Sequence, residues 1–320
     1  MPNTTKIKTV VRNEFHRFEQ QPRFAEIEII DGCNAKCVCC PRGIGLIPNT
    51  MKKMDISLYI KIIKKCVNYG VKGVALFNWG EPFLNNNISE YCKIAKGNGL
   101  YVCLSSNMSF KNIEIENTLK FVDNLEISVS GFTQEIYEIN HRGLNVEFVK
   151  NNIKTIERLL NENKINTLIK LKWFDYDYNK LEINYWNDFL DNNTKISYLI
   201  VEGNCDPIKN NKLIQQGIIP QDYFGKMYNK ESNQYKNDIP MTYCNYIKKF
   251  CIDVNGKLQL CCEKLYNNNI IVGDFLQDDI YTMQEMKLKH KECDSCNVMK
   301  KQCNILRKKE LIELNHHNFY

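Results

Sequence analysis

The chain has 320 residues, enough to bury one large core and carry a small appendage. An apolar fraction of 43% with 25% charged residues excludes a disordered or collagen-like polymer. The net charge of +6 is spread over Lys- and Asn-rich stretches rather than one basic face interleaved with aromatic rings, so there is no nucleic-acid footprint.

Residues 1–23 are polar and lack the apolar centre of a secretory signal, and no run approaches the length of a membrane span. The expectation is a cytoplasmic protein with reduced thiols and no membrane partner. From residue 24 the pattern alternates strand and helix. Strands are predicted at 24–30, 73–78, 100–105, 125–130, 167–173 and 196–201, each a short apolar or alternating run. Helices are predicted at 55–69, capped by Asp55 or Ser57, and at 87–97, 111–121, 146–161 and 181–190. Repeated βα units require right-handed crossovers and a parallel sheet with helices outside. Six such units predict an α/β fold, a partial (β/α)6 TIM-like barrel over residues 24–206, with its chemistry at the C-terminal strand ends.

Residues 207–243 are polar and turn-rich and read as a linker. In 250–262 (FCIDVNGKLQLCC) two alternating runs flank Asn255-Gly256, a strong hairpin signal. A helix at 279–290 and a terminal helix at 306–314 complete the pattern. The expected units are an extension at 1–23, the barrel, the linker, a small β-hairpin/helix domain at 244–303 and a tail at 304–320.

The 15 cysteines are unevenly placed. Four lie within 33–40 and seven within 244–303, while Cys66, Cys92, Cys103 and Cys205 stand alone. Clustered thiols in a reducing compartment bind metal or do redox chemistry. The first set follows the first strand as Cys33-x3-Cys37-x2-Cys40. Three thiolates leave one iron of a 4Fe–4S cluster open to a small molecule, whereas structural zinc is normally closed by four ligands. Zinc completed by a distant residue, and plain surface thiols, are the alternatives.

This spacing, followed by Pro41, resembles the cluster-binding loop of the radical S-adenosylmethionine (SAM) superfamily. Further segments sit at successive strand ends as they do in that family. Asn78-Trp79-Gly80-Glu81-Pro82 resembles the segment that binds the SAM amino group. Ser105-Ser106-Asn107 and Ser128-Val129-Ser130-Gly131 resemble those lining its ribose and methionyl moiety. Arg142, in Tyr137-x3-His141-Arg142-Gly143, resembles a residue that pairs with the SAM carboxylate, a task suited to a guanidinium fork. The resemblance thus implies Gly80, Glu81, Ser105, Asn107, Ser128, Ser130 and Arg142 as cofactor-binding residues. One departure is Cys39, where the family usually carries an aromatic or bulky residue. Cys40 is preferred over Cys39 as third ligand because it keeps the family spacing and precedes proline.

The second set reads Cys244-x11-Gly256-x4-Cys261, then Cys293-x2-Cys296-x6-Cys303. On spacing alone a zinc ribbon would satisfy it equally well. Behind a radical SAM domain it resembles a SPASM or shorter twitch domain. That implies one auxiliary 4Fe–4S cluster on Cys244, Cys261, Cys293 and Cys296, with Cys251 and Cys303 left as ligands of a second or differently built cluster.

The resemblance implies a chemistry. A reduced catalytic 4Fe–4S cluster cleaves SAM, and the resulting 5′-deoxyadenosyl radical takes hydrogen from an unactivated C–H bond. A flavodoxin- or ferredoxin-type donor supplies the electron, and the auxiliary cluster accepts one from the substrate radical. Cys205, after the sixth strand, is a candidate hydrogen-atom donor, set against a small filler residue. His141 is a candidate base, set against a hydrogen-bonding loop histidine. The expected substrate is a small polyol, amino sugar or carbohydrate precursor, to be oxidised. The alternatives are a peptide or protein substrate, modified by epimerisation or cross-linking, a zinc-stabilised binding protein, and an electron-transfer protein without SAM chemistry.

Overall fold

The computed structural model describes residues 24–111, 114–202, 249–261, 270–279, 282–283, 286–287 and 289–290. Strand β1 (Phe24–Ile27) leads into β2 (Ile30–Asp31), which pairs antiparallel with β3 (Lys52–Lys53). The loop between β2 and β3 carries residues 33–40. Helix α1 (Ile56–Asn68) and strand β4 (Gly73–Ala75) follow, then α2 (Ile88–Gly97) and β5 (Tyr101–Ser106), and α3 (Ile115–Leu119) and β6 (Asn124–Val129). Two helices, α4 (Gln134–Asn140) and α5 (Val146–Asn161), precede β7 (Leu168–Asp175), and α6 (Ile183–Phe189) precedes β8 (Ser197–Glu202). Three short strands, β9 (Phe250–Ile252), β10 (Lys257–Gln259) and β11 (Ile271–Asp274), come last.

All six strands expected between residues 24 and 201 are present, in the parallel order β1-β4-β5-β6-β7-β8. The hairpin does not stand apart. Strand β9 pairs parallel with β1, Ala25 facing Phe250 and Glu26 facing Cys251, and β10 and β11 add antiparallel strands beyond it. One sheet of nine strands results, with the hairpin sealing the β1 edge. Covering that edge satisfies backbone groups that would otherwise template aggregation.

Helix α1 begins where Asp55, the first of the two expected caps, accepts from the Ser57 and Leu58 amides at 2.9 and 3.0 Å. It buries Tyr59, Ile62, Ile63 and Cys66 against the sheet, and α5 buries Val149, Ile153, Ile156 and Leu160. These meet Val74, Val102, Leu104, Leu125, Ile127, Ile169 and Leu171, all inaccessible to solvent. Cys66 and Cys92 belong to this core, and burial pushes the Cys66 thiol up to about 12, so both act as small apolar fillers.

Alternate residues on the same strands are only half-buried. They are Cys103 and Ser105 on β5, Glu126 and Ser128 on β6, and Lys170 and Lys172 on β7, joined by the nearly buried Glu26 on β1. A parallel sheet covered on both faces reads as continuous apolar runs. This one alternates over β5, β6 and the first part of β7, apolar outward beneath the helices and polar inward, while Ala75, Phe174 and Leu199 bring apolar groups to the same concave face. Lys172 meets Glu126 at 3.0 Å there, and Lys249 pairs with Glu26.

The Asn255-Gly256 turn forms as predicted. Gly256 adopts φ +79°, the Gly256 amide donates to the Asp253 carbonyl at 2.9 Å, and the Asp253 carboxylate accepts from the Asn255 and Lys257 amides. Lys65 of α1 donates to the Leu276 and Asp278 carbonyls, holding the segment after β11.

Candidate active site

The loop after β2 carries Cys33, Cys37 and Cys40 as free, half-buried thiols. Asn49 holds Cys33 on both sides. Its side-chain oxygen accepts from the Cys33 amide at 2.9 Å, and its side-chain nitrogen donates to the Cys33 carbonyl at 3.0 Å. The Cys40 amide donates to the Cys37 carbonyl, and the Ile44 amide to the Cys40 carbonyl. Gly43 lets the loop close on itself, since a Cβ there would lie 2.3 Å from the Cys37 carbonyl oxygen. Cys39 is disulfide-bonded, which takes its sulfur out of the thiol set.

The three thiols sense one another. Burial pushes the Cys33 thiol up to about 12, and Glu81 and Cys40 add to the rise. Cys37 is driven far up by burial, then by Cys40 and Cys33. Cys40 is raised by burial, and Arg42 pulls it back. Such thiols keep their protons until a metal displaces them. Among the described residues no three His, Cys, Asp or Glu side chains gather tightly enough to hold a single ion. Three half-buried thiols on one loop whose charges act on one another, with Arg142 and Arg42 beside them to offset negative charge, are the donor set that a 4Fe–4S cluster with one open iron requires.

Two residues that sequence reasoning passed over fasten this loop to the sheet. Arg42, with its side chain 1% exposed, reaches Glu28 at 3.1 Å and Asp31 at 2.5 Å, and donates to the Trp79 and Pro48 carbonyls. Glu28 in turn accepts from the Trp79 amide at 3.2 Å. Burial pushes the Glu28 carboxyl up to about 7 against the pull of Arg42. Asn34 bridges to the end of β5, accepting from the Asn107 side chain at 2.9 Å.

The strand-end residues converge on this loop. Gly80 packs so closely on β2 that a Cβ would lie 2.0 Å from the Ile30 carbonyl oxygen. The Glu81 amide donates to the Gly32 carbonyl, fixing the turn. The Glu81 carboxylate is buried and accepts from the Ser106 hydroxyl and the Asn107 amide, both at 2.8 Å, and from the Phe83 amide at 3.1 Å. Burial raises it to about 7 despite these donors. Ser105 and Ser128 face the concave side.

Arg142 lies against the cysteine loop, its Nε donating to the Lys36 carbonyl at 3.1 Å while its own carbonyl accepts from the Lys36 amide. Ser130 and His141 differ from expectation. Ser130 is fully buried, and its hydroxyl lies 2.6 Å from His141 Nδ1. His141 is 3% exposed, stacked on Tyr137 with ring centres 4.7 Å apart, and burial drives its pKa down to about 3. That geometry is the one expected of the hydrogen-bonding histidine, with Ser130 as its partner.

The turn holding Ser130 and Gly131 is clamped from β7 onward. Asn179 donates to the Ser130 carbonyl, Trp186 donates to the Gly131 carbonyl, and Glu182 accepts from the Phe132 and Thr133 amides ahead of α4. No local signal marks these partners, which lie about 50 residues downstream.

Cys261 follows β10 and is a free, half-buried thiol. Cys251 is wholly buried on β9, its thiol donating to Glu26 at 3.4 Å. Cys205, Cys244, Cys293, Cys296 and Cys303 lie outside the described residues, as do the linker, the terminal helix and the tail. No helix among the described residues is long and apolar enough to cross a membrane.

Residues 27–175 match the family model described as the radical SAM superfamily. No curated protein matches the chain by sequence. Among solved structures, Streptococcus suis SuiB bound to precursor peptide SuiA is similar at 14% identity and a TM-score of 0.55, covering 87% of this chain and 70% of that one. The anSMEcpe structure with bound AdoMet and Cp18Cys peptide is similar at 15% identity and a TM-score of 0.52, covering 92% and 96%. BtrN in complex with AdoMet and 2-DOIA follows at 14% identity and a TM-score of 0.48, covering 88% and 93%. At these identities the likeness speaks to fold alone. The matched segment begins on β1, ends on β7 and contains the cysteine loop and every strand end described above, so residues 27–175 form a radical SAM domain.

Proposed function

We propose that the chain is a radical SAM oxidoreductase that oxidises a small polyol, amino sugar or carbohydrate precursor with the help of an auxiliary 4Fe–4S cluster. Cys33, Cys37 and Cys40 hold the catalytic cluster, and Cys244, Cys261, Cys293 and Cys296 hold the auxiliary one. When bound, the catalytic cluster and SAM supply a radical able to take hydrogen from an unactivated carbon, and the auxiliary cluster supplies a one-electron acceptor.

The chain's own residues bind and orient. Gly80 leaves room at the strand end, Glu81 offers a carboxylate to the SAM amino group, and Arg142 offers a guanidinium to its carboxylate. Asn107 and Ser106 hold Glu81 in place rather than competing with it. Ser105 and Ser128 line the approach from the concave face.

The observation that carries the substrate class is that concave face itself. Ser105, Ser128, the Lys172–Glu126 pair and the Lys249–Glu26 pair all lie on it, beside Cys103, Ala75, Phe174 and Leu199. Paired charges and hydroxyls suit a compact, hydroxyl-bearing molecule that can exchange hydrogen bonds with both donors and acceptors.

The test is anaerobic reconstitution followed by iron and sulfide analysis, then SAM, dithionite and a panel of polyols and amino sugars. About eight irons per chain, 5′-deoxyadenosine formation and a product two hydrogens lighter support the proposal. About four irons would remove the auxiliary cluster from it. Stoichiometric zinc without iron would leave a zinc-stabilised binding protein instead.

A further inference from the structure

Two charged side chains on the concave face are partnered on one side only. Glu126 of β6 meets Lys172 of β7 at 3.0 Å through a single carboxylate oxygen, Oε2, and their side chains are 20% and 24% exposed. Among the described residues the second oxygen, Oε1, accepts no hydrogen bond, and the ammonium donates no other. The companion pair on this face is closed instead. Nearly buried Glu26 uses both oxygens, one on Lys249 and one on the Cys251 thiol at 3.4 Å. An ion pair taken partly out of water often contributes no more to stability than a well-packed apolar pair of the same volume. What distinguishes Glu126 and Lys172 is therefore what they present: one open acceptor and spare N–H donors, side by side.

The pair also lies close to the cysteine loop. Ser105 faces Glu126 and Ser128 faces Lys172 across neighbouring strands, and Lys170 faces Glu126 from β7. Phe174, two residues on from Lys172, has its ring centre 5.9 Å from the Lys172 ammonium. The same ring stands 6.0 Å from that of His141 and packs against Val38, Ile44 and Tyr176, and Val38 lies between Cys37 and Cys40 in the chain. One aromatic side chain thus bridges the ion pair and the loop that carries the thiols. A polar pair beside an apolar ring matches a cyclic polyol, whose hydroxyls point outward from a C–H face.

We propose that Glu126 and Lys172 form a subsite for two adjacent hydroxyls of the substrate, with Phe174 under its C–H face, so that the site selects a neutral polyol over an amino sugar. The inference rests on the substrate reading above and narrows it. One hydroxyl donates to Glu126 Oε1, and its neighbour accepts from the Lys172 ammonium, so both hydrogen bonds are charge-assisted. A protonated amine donates but cannot accept. In place of the hydroxyl on Lys172 it sets two cations together. In place of the one on Glu126 it adds a charge to a carboxylate that Lys172 already offsets, and it gives up its own hydration to do so.

The test uses the full chain, reconstituted anaerobically with SAM but without reductant, so that binding is measured apart from turnover. Ligand-observed NMR titrations compare myo-inositol, glucose and galactose with the monodeoxy and monoamino derivative at each ring position. The polyol that binds best should lose about tenfold in affinity on deoxygenation at two adjacent positions, and about tenfold on amination at the same two at pH of about 7. Glu126→Gln and Lys172→Met, with iron retained, should each weaken that polyol about tenfold and remove most of the deoxygenation penalty at one of the two positions. Lys172→Met should also bind the amine at its own position about tenfold tighter than the parent does, since Glu126 then carries an uncompensated charge. Amino derivatives preferred by the parent, a deoxygenation penalty absent or confined to non-adjacent positions, or penalties that survive both substitutions overturn the proposal and leave oxidation of an amino sugar or other polyol standing. Should a variant fail to load iron, the parent decides alone. Raising the pH from about 7 to about 9 deprotonates the amine and gives it a lone pair for Lys172, so the amination penalty must shrink, and a constant penalty overturns the proposal. If no polyol or amino derivative binds the parent, the substrate reading itself falls and the inference with it.

Discussion

Arg42 is the point at which the cysteine loop is locked to the sheet, and replacing it with methionine tests that directly. The guanidinium is nearly sealed from water and reaches Glu28 and Asp31 together with the Trp79 and Pro48 carbonyls. Removing one partner of a buried ion pair typically costs about 3–5 kcal/mol, because the remaining charge is left desolvated. Here that charge is Glu28, whose carboxyl already stands at about 7 with Arg42 beside it. Without the arginine it rises further and takes up a proton in the folded state. A carboxyl raised above its unfolded value of 4.5 makes the native state bind more protons than the unfolded chain. Stability then falls as pH rises from 4.5 toward the folded pKa, by up to about 1.4 kcal/mol per pH unit. Arg42→Met should therefore lose more at pH 8 than at pH 6. At pH 8 the urea midpoint of the reduced apo-protein should drop by roughly 1–1.5 M for an m value of about 3 kcal/mol per molar. Adding Glu28→Gln should recover about half of the loss, since the stranded charge is gone. A single variant within about 1 kcal/mol of the parent, or a double variant no better than the single one, would refute the account of this buckle.

Four further predictions come from the same geometry. His141 is held neutral by burial, with its pKa down at about 3 against 6.5 in the unfolded chain. Its contribution is complete above pH 6.5 and shrinks as pH falls toward 3, by about 2 kcal/mol at pH 5. Urea midpoints of His141→Gln at pH 7 and pH 5 should differ correspondingly less than those of the parent. Gly131→Ala places a Cβ 2.4 Å from the Tyr137 amide nitrogen, so α4 must shift at a cost of about 1–3 kcal/mol, visible as a lower melting temperature and reduced iron loading. Gly97→Ala, with nothing within 4 Å, should be neutral or stabilising by about 0.5–1 kcal/mol. Lys172→Met should raise KM for the substrate about tenfold while leaving uncoupled SAM cleavage unchanged, and an unchanged KM would take the Lys172–Glu126 pair out of substrate binding.

The barrel was legible because its signals are local and periodic. Strand β7 alternates Ile169, Leu171 and Trp173 on the covered face with Lys170 and Lys172 on the other, and α5 repeats its apolar residues over four turns. Asp55 and the Asn255-Gly256 turn act within a few residues of themselves, so their roles could be read directly. Helix α4 was missed because no local side-chain cap marks its start, the Phe132 and Thr133 amides ahead of it being held from afar by Glu182. The continuity of the hairpin with β1 was missed for a related reason. Pairing between Ala25 and Phe250 joins residues more than 200 positions apart, and no feature of either segment names the other.

The site was legible in its residue types and illegible in their division of labour. Cysteines, a Gly-Glu turn and an arginine announce themselves by spacing, but burial decides which polar groups can still meet a ligand. Ser128 and Ser130 are two residues apart on one strand end, and the period of a strand would put both on the same face. Ser128 stays on the open face, whereas Ser130 lies past the end of β6, in the turn drawn inward by Asn179 and Trp186, where His141 occupies its hydroxyl. The same packing stacks Tyr137 on His141, with ring centres 4.7 Å apart. Residues that look functional in the string can thus serve as supports, and Tyr137, which looked like a spacer, carries a buried hydroxyl without an acceptor among the described residues.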